Sequence, residues 1–311
     1  MVLDTTYQEL SKSLLDSSAP LHERFRALFS LKALATDEAV RIITEGLKDE
    51  SALLKHELAY VLGQMLNTTA CPTLAAVLAN TSEDPMVRHE AAEALGAIAD
   101  PRWREDLTKY ASDPSPVVSE TCQLALARME HEATKKKENP SSVYTSIDPA
   151  PASESGETVE DLRATLLNPK IALFERYRAM FALRNIGTEE AVLALAAGLE
   201  CEDSALFRHE VAYVFGQMQH PASVPALSLA LGKIEEEAMV RHECAEALGS
   251  IATAECLPIL RQFAKDEERV VRESCEIALD MYEYEQSGEL QYAKIPLAEA
   301  MAGRSSTTEE S

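Results

Sequence analysis

The chain has 311 residues, 46% of them hydrophobic and only 5% aromatic, enough for two ordinary domains or one repeat array with a sizeable core. Ala and Leu dominate the apolar set, which suits close-packed short helices rather than sheets. The formal net charge of −23, from 52 acidic and 29 basic residues, repels nucleic acid and anionic membrane surfaces and favours a basic partner.

Residues 1–20 lack a basic segment followed by an apolar core, and no run approaches ~18 apolar residues, so neither a secretory signal nor a membrane span is expected. The six cysteines, at 71, 122, 201, 244, 256 and 275, form no C-x-x-C pair. Reduced, buried thiols in a cytoplasmic protein are expected.

Along the chain, four helical patterns follow one another: ERFRALFSL at 23–31, KHELAYVLGQM at 55–65, RHEAAEALGAI at 88–98 and VVSETCQLAL at 117–126. They recur in the same order as ERYRAMFAL at 175–183, RHEVAYVFGQM at 208–218, RHECAEALGSI at 241–251 and VVRESCEIAL at 270–279. Ala91, Ala94, Leu95 and Ile98 make one apolar stripe at helical spacing. A glycine near the end of a helix (Gly63, Gly96, Gly216, Gly249) suits close helix packing or a C-terminal cap. A second apolar segment follows, as at 74–78, 192–199 and 257–263, and a short acidic turn (48–50, 82–85, 113–114, 266–267) is expected to close each unit.

A period of roughly 30 to 33 residues with two helices per unit predicts an all-α fold, an α-solenoid of eight helical hairpins in two symmetric halves of four. The halves are placed at 1–130 and 161–286. Between them, residues 131–160 carry Lys135-Lys136-Lys137, three prolines and many serines, the composition of a flexible linker. Residues 287–311, rich in Ser, Thr and Glu, are expected to be a mobile tail.

The dipeptide His-Glu stands at 56–57, 89–90, 209–210 and 242–243. Thirty-three residues separate His56 from His89 and His209 from His242; 153 separate His56 from His209 and His89 from His242. His22-Glu23 and His131-Glu132 lack such counterparts, so only four of the seven histidines recur in register. A lone His-Glu on a helix is usually a solvated surface pair; four in twofold register point to a metal site built from two halves. Equivalent positions on neighbouring solenoid helices lie about 10 Å apart, close enough for inward side chains to share an ion. His56, His89 and Glu90 then supply two imidazoles and a carboxylate from one half, and His209, His242 and Glu243 the same set from the other. That ligand set is associated with non-haem Fe(II) and oxygen chemistry, although zinc accepts the same ligands.

Other recurrent residues have plainer readings. Tyr60 and Tyr213 are expected to pack in the core, and Cys122 and Cys275 to act as small buried hydrophobes. Gly63 and Gly216 either leave room for a substrate chain or let helices pack closely. Met86 and Met239 either line an apolar channel or fill core.

The VRxEAAxALGxI signature resembles HEAT-like repeats of the short type found in phycobilin lyases. Eight such units, a connector, and His-Glu in units two and three of each half resemble the deoxyhypusine hydroxylase family over nearly the whole chain. The resemblance implies a di-iron monooxygenase that uses Fe(II) and O2, with an external electron donor. Its substrate would be the deoxyhypusine form of translation initiation factor 5A, a basic protein segment that suits an acidic cleft. It further implies His56, His89 and Glu90 on one iron and His209, His242 and Glu243 on the other. Glu57 and Glu210 would bind the substrate amine, and Gly63, Gly216 and Met239 would line the substrate path. Three other readings compete: a HEAT scaffold with no metal, a tetrapyrrole lyase or chaperone, and a di-zinc hydrolase.

Overall fold

The computed structural model describes residues 2–134, 143–154, 156–288 and 292–293, and among them it contains helices and no strand. Eight hairpins follow in order: α1 (Val2–Leu15) with α2 (Leu21–Leu34), α3 (Asp37–Gly46) with α4 (Ala52–Gln64), α5 (Cys71–Ala79) with α6 (Pro85–Ile98), and α7 (Arg104–Tyr110) with α8 (Pro116–Thr134). The second half repeats them as α9 (Val159–Leu166) with α10 (Leu173–Ile186), α11 (Glu189–Ala196) with α12 (Ala205–Met218), α13 (Val224–Gly232) with α14 (Ala238–Ile251), and α15 (Cys256–Phe263) with α16 (Arg269–Ser287). The even-numbered helices form the inner layer. Short polar side chains set their starts: Ser51 and Ser204 accept from the backbone N–H of Leu54 and Phe207, and Asp84 accepts from Met86. Left-handed residues such as Ala99 and Gly187 stop the inner helices.

The acidic turns lie inside the hairpins, joining outer helix to inner, so the unit boundary sits one helix away from where the sequence pattern put it. Their carboxylates have a structural task. Arg24, Arg88, Arg176 and Arg241, each buried near the start of an inner helix, donate from Nε to the carbonyl ten residues earlier at 2.8–2.9 Å. Each guanidinium then pairs with an aspartate of the next turn: Asp49, Asp113, Asp203 and Asp266 respectively. Lys55–Glu83 and Arg208–Glu236 fill the intervening steps. Within each half, a ladder of ion pairs therefore ties each unit to the next. Glycines let the inner helices approach: a Cβ at Gly96 would lie 2.6 Å from Cβ of Ala125 on the neighbouring helix.

The two halves face each other and touch at both ends. At one junction α8 meets α10 and α12; at the other α16 meets α2 and α4. Equivalent bonds close them: Ser204 Oγ donates to Glu120 at 2.6 Å, and Ser51 Oγ donates to Glu273 at 2.7 Å. Arg26 adds a bidentate pair with Asp280 at the second junction.

Two expectations need correction. The connector is not free chain over 143–154. Ala150 is fully buried in the core of the C-terminal half, Asp148 pairs with Arg184 at 2.7 Å, and Gln64 bonds both the N–H and the carbonyl of Ile147. The three lysines at 135–137 lie outside the described residues. In the tail, Tyr292 packs edge-on against Phe29, and its hydroxyl donates to Asp280 at 2.7 Å. The expectation for 289–291 and 294–311 lies outside the described residues. All six thiols are unpaired and five are buried.

Candidate metal centre

α4, α6, α12 and α14 carry the four His-Glu pairs at mid-helix, facing the space between the halves. All eight residues are buried, His89 and His242 completely. The four imidazoles converge: ring centroids lie 5.4 Å apart for His56 and His89, 5.3 Å for His209 and His242, and 5.1 to 5.7 Å across the halves. Glu90 comes within 3.3 Å of Nε2 of His56, and Glu243 within 3.4 Å of Nε2 of His209. The spacing of 153 residues thus becomes a spatial twofold.

Every ring nitrogen of His56, His89, His209 and His242 is buried with no hydrogen-bond partner. Each such orphan costs on the order of 1–3 kcal/mol, and buried polar groups rarely go unpaired without a reason. Donor atoms of His56, His89 and Glu90 all lie within 4.8 Å of one another, as do those of His56, His209 and His242. In the other half, His242 and Glu243 converge with Glu246 rather than His209, and Glu246 lies 3.5 Å from Nδ1 of His242. Burial and mutual repulsion keep His89 and His242 far below the usual imidazole pKa, and His209 at about 3. Neutral imidazoles are the form that ligates a cation. Burial, the largest single effect, opposes protonation of His56 too, but Glu90 together with Glu57 and Glu243 outweighs it and raises that imidazole to about 9. The donor set fits divalent metal.

Beside the imidazoles lies a cavity of about 520 Å³ whose wall carries six carboxylates, Glu57, Glu90, Glu93, Glu210, Glu243 and Glu246. Burial, then the charge of Glu246, pushes Glu57 up to about 8. Burial and neighbouring carboxylates also hold Glu93, Glu210 and Glu243 well above the usual range. Lys32 stands on the same wall, over the rings of Tyr60 at 5.1 Å and Phe29 at 5.8 Å. Such a chamber favours a cationic guest.

The remaining candidates separate. Glu57, Glu210 and Gly216 line this chamber. Gly63 does not; a Cβ there would sit 2.8 Å from Cα of Ala94, so it serves the contact of α4 with α6. Met239, with Met86, lines a different cavity, one helical turn before the histidines. Tyr60 and Tyr213, expected in the core, instead line the chamber and join hydroxyls across the halves at 2.8 Å. Glu93 and Glu246 escaped notice, although A-E-A-L-G repeats at 92–96 and 245–249, 153 residues apart. Lys32, Gln64 and Gln217 were also missed.

A family model described as HEAT repeats matches residues 78–137 and 192–280, and one described as PBS lyase HEAT-like repeat matches 175–201. Deoxyhypusine hydroxylase of Danio rerio is 57% identical over 300 residues, covering 94% of this chain and 97% of that protein. The Homo sapiens protein of the same name is 55% identical over 293 residues, covering 94% and 96%. The chain belongs to the deoxyhypusine hydroxylase family. The solved structure of human deoxyhypusine hydroxylase in complex with glycerol matches with a TM-score of 0.88 at 55% identity, over 91% of this chain and 99% of that one. The family's fold therefore extends through both halves, and the chain is a hydroxylase by kinship.

Proposed function

We propose that this chain is a deoxyhypusine monooxygenase acting on translation initiation factor 5A with two iron ions and O2. The observation that carries the reading is the cluster of four buried imidazoles, none of whose nitrogens makes a well-formed hydrogen bond, opening onto a chamber of six carboxylates. His56, His89 and Glu90 hold one iron; His209, His242 and Glu243 hold the other. Glu246, 3.5 Å from His242, orients that imidazole or joins its ligand shell.

Iron held there would supply O2 activation: one atom of O2 enters a C–H bond of the aminobutyl arm and the other leaves as water, with two electrons from an external donor and two protons. The chain's own residues do the rest. Glu57 and Glu210 bind the ammonium groups of the arm and hold one methylene beside the imidazole cluster. The Tyr60–Tyr213 bridge restricts water on the cavity side of the histidines. The net charge of −23 draws in a basic segment of the substrate protein. We further propose a cytoplasmic location, with no nucleic-acid or membrane partner. No helix among the described residues is long and apolar enough to cross a membrane.

His56→Ala tests the reading. Loss of bound iron and of hydroxylation, with helicity retained, is expected. Full activity on the deoxyhypusine-bearing factor without His56 would overturn it.

A further inference from the structure

The twofold that builds the centre also builds the chamber, and a symmetric chamber has two equivalent mouths. One lies where α2 and α4 meet α14 and α16, beside Phe29, Lys32, Glu57, Glu246 and Met281. Its counterpart lies where α10 and α12 meet α6 and α8. There Phe181, Arg184, Glu210, Glu93 and Arg128 hold the corresponding positions in the sequence repeat.

The two mouths differ. At the first, a cavity of about 340 Å³ reaches Glu57 and Glu246 between Phe25, Phe29 and Met281. At the second, only about 10 Å³ remains, between Glu93, Arg128, Ile147 and Pro149. The connector fills the difference. Arg184, the counterpart of Lys32, is fully buried in a bidentate pair with Asp148 at 2.7 and 2.9 Å, beneath the ring of Tyr144. Gln64 and Gln217, themselves 153 residues apart, grip the connector from opposite halves. Gln64 bonds the backbone of Ile147 at 2.9 and 3.1 Å; Gln217 donates to Ser146 Oγ at 2.9 Å and also touches Arg184. Buried Pro149 and Ala150 anchor the segment.

We propose that residues 143–149 plug one of two pseudo-equivalent mouths, so that the substrate arm enters beside Glu57 and Lys32 and presents its terminal ammonium to Glu210 beneath the plug. This rests on the proposed function above. Glu57 faces both the open mouth and the chamber, whereas Glu210 lines the chamber alone. Glu210 is 3% exposed, and its Oε1 is buried without a partner, the state of a carboxylate awaiting a cation. A flexible diamine in an unplugged, symmetric chamber would bind in both directions. The plug selects one, and with it which half of the centre the arm approaches.

Calorimetry on the full-length, metal-loaded protein under argon tests this with two probes. N-butyl-1,4-diaminobutane carries both amines of the arm; dibutylamine lacks the terminal one. Wild type should prefer the diamine by about tenfold, one charge-assisted contact. The preference should vanish in Glu210→Gln and persist in Glu57→Gln, as a coupling between the terminal amine and Glu210 requires. The reverse pattern, or equal loss in both, overturns the direction of entry. If wild type binds neither probe, the amine-chamber reading fails before direction is at issue. Asp148→Ala frees the plug, and Gln64→Ala does so without touching the buried Arg184. In either, the preference should become equally sensitive to both glutamates. An unchanged pattern in two folded release variants would show that the connector does not set direction.

Discussion

Gly63 and Gly216 hold equivalent places in the repeat but meet different surroundings. A Cβ at Gly63 lies 2.8 Å from backbone Cα of Ala94; at Gly216 the nearest atom is Cα of Ala247 at 3.4 Å. Gly63→Ala should therefore force α4 from α6 and destabilise by about 1–3 kcal/mol. Gly216→Ala should leave the melting temperature nearly unchanged while narrowing the chamber and raising KM. Thermal melts paired with steady-state kinetics read both; equal melting losses would contradict the distinction. The His-Glu pairs were visible in the sequence because histidine is scarce and the register repeats. Glu93 and Glu246 repeat equally well, but glutamate on a helix is ordinarily a solvated residue, so their register carried no alarm. Only the fold shows that this helix face turns inward.

The inner helices are joined by arginine–aspartate pairs whose acids the sequence offered merely as turn formers. The Arg88 hydrogen bond holds Asp113 below the usual carboxylate range, against the opposing effect of burial. A depressed pKa means that the unfolded chain takes up the proton first. The contribution is complete above about pH 3.9 and is lost as pH falls through the folded value. Asp113→Asn leaves a buried guanidinium without its counter-charge, and should cost roughly 3 kcal/mol at neutral pH. Relative to wild type that loss should shrink in acid. Denaturant melts at pH 7 and pH 3 measure it; a pH-independent loss would assign the effect to packing. The eight hairpins were legible because helical periodicity and the 33-residue spacing agree. The phase of the unit was not, since an acidic turn fits either end of a hairpin. The connector misled for a related reason. Its Ser and Pro content is that of free chain, and the partners that order it, Gln64, Arg184 and Gln217, are remote in sequence.

The two halves meet through paired junctions and through the imidazole cluster, so metal bound between them should stabilise the closed arrangement. Chelation is expected to lower the melting temperature, and Fe(II) to restore it. Scattering profiles identical with and without metal, together with unchanged melting, would argue that the ions do not bridge the halves. The central claim is that this cluster is a di-iron centre, and one measurement reaches it directly: the iron content and optical spectrum of the purified, Fe(II)-reconstituted chain. Two iron atoms per chain, with a visible band that His56→Ala and His209→Ala each abolish, is the expected result. Well-folded protein that retains no iron and develops no band after Fe(II) and air would contradict it.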